Sequence, residues 1–144
     1  MWCRGLSVSN AWEFITAYQK KQVYQRRFVK AWKDAGVQAV IWPTAGPAFP
    51  KGVAKDLICL VAPYAVLSIV DCAVCTLPVT KVLPEEQIYK PKTTGRHIAA
   101  QMQQVLNGSA GMPIGVQVAT LPFTDELCLR VRRELDAVLK AVKS

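Results

Sequence analysis

Histidine is almost missing from this chain of 144 residues: His97 is the single one. Zinc needs more than the one Cys-x-x-Cys pair present, Cys72 and Cys75, so no metal ligand set is expected. That pair lies inside an apolar run and reads as small buried side chains, the redox dithiol being the alternative. Serine is also sparse. Ser7, Ser9, Ser68, Ser109 and Ser144 stand in no G-x-S-x-G elbow, so no nucleophile is placed for His97 to activate. Met1 to Asn10 lacks the apolar core of a secretory leader, and the 5 cysteines are an odd number. Reduced thiols in an intracellular compartment follow, either cytoplasmic or at the periphery of an internal membrane. The uncharged stretch Leu57–Val70 falls short of the about 20 residues a bilayer helix needs, holds Pro63, and meets Asp71 before the next apolar run, Cys72–Val79. A buried helix is the expectation there, and a membrane span the alternative. With 51% hydrophobic and 19% charged residues, disordered, collagen-like and disulfide-scaffold classes are excluded.

Basic residues are plentiful: 18 against 10 acidic, a formal charge of +8. They are divided between the two ends of the chain and are not interleaved with stacking aromatics in one run, so nucleic acid is not an expected partner. The basic face from Lys20 to Lys33, with Trp12, Phe14 and Tyr18 nearby, reads as a solvated face, or as peripheral contact with an anionic membrane.

Local signals place the elements. Asn10 followed by Glu13 is a capping-box pattern, and Ala17, Tyr24, Phe28, Ala31 and Ala35 recur at helical spacing until Gly36. Val37–Trp42 predicts a short buried strand, and PTAGPAFPKG after it a loop. A buried helix disturbed near Pro63 is expected over Lys55–Asp71, a strand over Cys75–Val82, and a helix over Arg96–Leu106 ending at Asn107-Gly108. A strand over Ile114–Ala119 precedes a last helix capped by Thr124, with Leu127, Val131, Leu135, Val138 and Val142 as its buried stripe. The alternation predicts an α/β fold with helices on a parallel or mixed sheet, and a sheet of only three strands is too narrow to be whole. Glu85 and Glu86, adjacent in a Pro-bounded loop, read as solvated carboxylates.

Gly111–Val118 (GMPIGVQV) followed by Leu121–Leu135 (LPFTDELCLRVRREL), with VIWPTAGPAFP upstream, resembles the C-terminal part of the amidase-signature family of serine hydrolases. Within it the fatty-acid amide hydrolase branch is the nearest in pattern. The likeness covers the chain from about Asn10, with residues 1–9 a poorly matched lead-in to a single segment. It implies hydrolysis of a lipid-like carboxylic amide through an acyl-serine, without metal or cofactor. The family's Ser/Ser/Lys signature has no counterpart here, so no catalytic residue is carried over. What the resemblance does imply is a substrate-binding wall at Ile58, Val61, Ala65 and Ile98, whose bland reading is core packing. Ser68, Trp42 and Ala73-Val74-Cys75 depart from the family's usual Asn, Thr and Pro-Ala-Gly. Partners implied are a full-length amidase or a second copy in a homodimer; the chain alone is expected to be inactive.

Overall fold

Asn10 is extended, at φ −155°, and its side chain accepts from the Glu13 N–H at 2.9 Å, so the first helix starts where the capping pattern puts it. Glu13 reaches back one residue further than expected, accepting from the Ser9 N–H at 2.8 Å. The computed structural model describes residues 9–44, 48, 62–90 and 96–143, and within them leaves aside the side chains of 62–64, 96–98, 101 and 143. In order they form α1 (Ala11–Asp34), β1 (Ala39–Pro43), α2 (Ala62–Ile69), β2 (Ala73–Lys81), α3 (Arg96–Leu106), β3 (Pro113–Thr120) and α4 (Asp125–Lys143). The part of the expected Lys55–Asp71 helix before residue 62 lies outside the described residues, as does most of the loop after Thr44.

The strands make a sheet of order β1-β3-β2, with both pairings antiparallel. A parallel or mixed sheet was expected, and the difference has a simple cause. β1 and β2 do run in the same direction, as a strand–helix–strand unit should. The last strand inserts between them in the opposite sense, and hydrophobic patterning cannot show an insertion of that kind. Residues 39, 120 and 73 share one row across the sheet, then 40, 119 and 74, and so on to 43, 116 and 77. A bulge between Pro78 and Thr80 follows, on an edge strand where proline's missing N–H costs little. Gly115 is required at its row: a Cβ there would stand 2.7 Å from the Leu77 carbonyl oxygen.

Alternation sends the two sides of β3 to different cores. Ala119 packs with Trp32 of α1 and Leu67 of α2, joined by Phe28, Val40, Val66, Cys72 and Leu121. Val118 and Thr120 face α4, and both are fully buried. Of the expected stripe on α1, Phe28 is half-buried and packs in this cluster beside Trp32, whereas Ala17, Tyr24, Ala31 and Ala35 are exposed. Polar residues on the packed side conceal it in the sequence. Gln25 donates to the Val70 carbonyl at 3.1 Å and Lys21 pairs with Asp71 at 3.0 Å, both at the end of α2. That end is a Schellman closure. Cys72 N–H bonds to Leu67 O and Asp71 N–H to Ser68 O, with Asp71 left-handed at φ 55° where glycine is usual.

α3 ends at left-handed Gly108, φ 80°, as expected, and α4 follows Thr124. The buried side of α4 runs from Cys128 through Val131 and Leu135 to Leu139. Val138 and Val142, placed on the stripe by a 3.5-residue spacing, are 59% and 80% exposed. Two glutamines fasten the segment after β2 to α3. Gln103 accepts from the Tyr89 N–H and donates to the Gln87 carbonyl, and Gln87 in turn accepts from the Gly108 N–H at 2.9 Å.

Candidate functional site

The expected substrate wall is only partly placed. Ile58 and Val61 lie outside the described residues. Ile98 falls in the first turn of α3, with its side chain outside the description. Ala65 is half-buried on α2, three and four residues before the exposed Ser68 and Ile69, while Leu67 between them is buried. α2 therefore turns one side to the sheet, and among the described residues its other side is uncovered at Ser68 and Ile69.

Register identifies what lies further along that sheet face. The row after Val40, Ala119 and Val74 on the same side is Trp42, Gln117 and Thr76. Trp42 and Gln117 are half-buried and Thr76 is exposed, so the apolar cluster gives way here to a more polar, more open surface. Hydrogen bonds hold its β1 side in place: Gln117 donates to the Pro43 carbonyl at 3.0 Å, and the Thr44 hydroxyl to the Gly115 carbonyl at 3.0 Å. This row could not be assembled from sequence because it spans all three strands. The signal that was present is Trp42, already marked as a departure from the family pattern.

The Cys-x-x-Cys pair is taken apart by the strand. Cys72 joins the Trp32 cluster on one face, while Cys75 lies against Cys128 of α4 on the other. Cys128 has no exposed surface, and its thiol donates to the Val118 carbonyl at 3.3 Å. Burial first, and contact with Cys75 second, push that thiol up to about 11. Burial, then the neighbouring Asp71 carboxylate, also raise Cys72. Raised thiols are poor nucleophiles, so the packing reading of these cysteines describes them better than a redox dithiol. All three are free.

Ser109 is buried and donates its hydroxyl to the Leu106 carbonyl at 2.6 Å, closing the end of α3. The Glu86 carboxylate accepts from the Leu83 N–H at 2.8 Å in a single 3-10 turn, Pro84–Glu86; Glu85 is exposed beside it. Among the described residues no group of three or more His, Cys, Asp and Glu side chains could hold a metal ion, and no helix is long and apolar enough to cross a membrane. Of the two apolar runs that raised the question of a span, the described part of the first forms the eight-residue α2, and all but the first residue of the second lies in β2.

What the geometry defines is a small helix-on-sheet α/β fragment with one graded, apolar-to-polar sheet face. The chain belongs to the amidase family, whose profile matches residues 4–129. It is similar to "Fatty-acid amide hydrolase 1" of Sus scrofa, 24% identical over 139 residues, covering 94% of this chain and 24% of that protein. It is also similar to "Fatty acid amide hydrolase 1" of Caenorhabditis elegans, 26% identical over 131 residues, 88% of this chain and 23% of the other. The chain thus spans about a quarter of the length of these relatives.

Proposed function

We propose that this chain is the C-terminal segment of a fatty-acid-amide-hydrolase-like amidase, giving scaffold and an apolar wall to a site whose nucleophile lies on other polypeptide. The observation that carries the reading is the match of 94% of the chain to only 24% of a fatty-acid amide hydrolase. In the whole enzyme a lipid-like carboxylic amide would be cleaved through an acyl-serine. A relay serine and a lysine would move the proton, and backbone N–H groups would hold the oxyanion. Ala65, with Ile58, Val61 and Ile98, would face the acyl tail, while the row Trp42–Gln117–Thr76 lies further along the face on which α2 packs. The same reading places the protein inside the cell, which the free thiols Cys72, Cys75 and Cys128 support.

Purified alone, the chain is expected to release no ammonia or amine from a long-chain fatty-acid amide beyond a boiled control. Turnover above that control sinks the proposal. A second reading, a non-catalytic protein that docks on a full-length amidase, is favoured by one observation: among the described residues no strand lies on the outer side of β1 or of β2. Co-purification of the tagged chain with a full-length fatty-acid amide hydrolase is the outcome that favours it.

A further inference from the structure

We propose that Cys75 and Cys128 are a disulfide-forming pair, closed by hydrogen peroxide within the native fold so that α4 is tied to β2. The pair is separate from the amide site, and its test does not depend on that reading. A spacing of three suggests Cys72 as the partner of Cys75, but the strand sends Cys72 to the Trp32 cluster on the opposite face. Cys75 stands directly opposite Val118, which is fully buried, and two residues along β2 from both Ala73 and Leu77. The Cys128 thiol reaches the same patch from α4. It lies 3.3 Å from the Val118 carbonyl oxygen and 3.6 Å from that of Ala73. Its sulfur is also in hydrogen-bonding contact with the side chain and the backbone of Cys75.

The two members differ in access. Cys75 is half-buried on a strand at the side of the sheet, so a small oxidant can reach it, whereas Cys128 has no exposed surface. In the first step the Cys75 thiol gives up its proton and its sulfur attacks one oxygen of the peroxide. An S–O bond forms, the O–O bond breaks, and the departing hydroxide takes the proton and leaves as water, giving a sulfenic acid. In the second step the Cys128 sulfur attacks the Cys75 sulfur. The S–S bond forms, the S–O bond breaks, and the hydroxyl leaves with the Cys128 proton as a second water. The pair of thiols loses two electrons and the peroxide gains them.

Burial keeps Cys128 protonated and makes it a poor attacker on reagents from outside. Contact with Cys75 compensates, because the second step joins two groups that are already in place. A resolving sulfur at this position also halts Cys75 at the sulfenic stage, short of the irreversible sulfinic acid. Closure would enclose α3 and β3 in one covalent loop, and a thiol reductant would open it again.

Mass spectrometry of the full chain, treated with hydrogen peroxide and digested with trypsin without reduction, tests this. The peptide ending at Lys81 should be found joined to the peptide ending at Arg130, and dithiothreitol should separate them. The link should be absent from Cys75→Ala and present in Cys72→Ala, with circular dichroism unchanged in both. The oxidised chain should melt about 5–10 °C above the reduced one, because the closed loop restricts the unfolded state. No link at excess peroxide, a link that survives in Cys75→Ala or is lost in Cys72→Ala, linkage only between chains, or a melting point that fails to rise overturns the proposal.

Discussion

The two faces of the sheet are closed in different ways. On the α4 side, Leu77, Val118, Thr120 and Cys128 are 0–1% exposed, and the Thr120 hydroxyl and Cys128 thiol both donate to backbone carbonyls. On the α1 side the cluster's buried members among the described residues are Trp32, Leu67 and Ala119, with half-buried side chains around them, and the Trp32 Nε1 is buried without a partner among those residues. The first turns of α1 leave Trp12, Phe14, Ile15 and Tyr18 in solvent. The contrast follows from what each helix turns toward the sheet. α4 offers Cys128, Val131, Leu135 and Leu139, so it buries apolar area along much of its length. α1 offers Lys21 and Gln25 before Phe28 and Trp32, and spends them on the end of α2. One face is a core; the other is half core and half clasp.

If that contrast is right, substitutions on the α4 face should cost most. Leu77→Ala is expected to lower unfolding free energy by about 2–5 kcal/mol in urea titration; a loss below about 1 kcal/mol would mean the face is loosely packed. The clasp should cost less. Asp71→Ala removes the Lys21 and Gln25 contacts and leaves a Cβ in left-handed backbone, for a loss of about 1–2 kcal/mol. Asp71→Gly should recover most of it, separating backbone strain from the side-chain bonds.

Alkaline pH sharpens the comparison further. The Cys128 thiol stays protonated in the fold up to about 11, whereas the unfolded chain releases its proton near the ordinary thiol value of 9.0. Its contribution is therefore complete below 9.0 and is lost as pH rises through about 11. Cys128→Ala should flatten that decline in thermal melts between these pH values, while costing about 1 kcal/mol at neutral pH. Smallest of all should be Tyr18→Ala, within about 0.5 kcal/mol of the parent in the same titration. A larger loss would show that the overhanging part of α1 is anchored after all.

Sequence reading recovered the elements where a local physical signal exists. The Asn10 cap, the stops at Gly36 and Gly108, and the span of α3 are set by backbone chemistry within a few residues. It missed what depends on distant partners. Strand order was hidden because β3, the last strand, lies between the first two. The packed side of α1 was read at Phe28 but not at Trp32, because Lys21 and Gln25 share it for hydrogen bonding. For the site, the resemblance pointed to α2 and α3, and Ala65 lies there, half-buried. The Trp42–Gln117–Thr76 row emerges only from register, because each strand on its own shows one member of it. Cys-x-x-Cys was ambiguous for the same reason: in an extended chain a spacing of three separates the thiols, whereas on a helix it would unite them.

The central place of β3 also bears on how the molecule comes into being. A ribosome releases β1 and β2 first, and neither finds its neighbour until residues 113–120 emerge. Any premature stop before Pro113 would leave two strands with no template between them, prone to sticking to other chains. The stretch from Pro113 to Thr120 is in this sense the keystone of the nascent sheet.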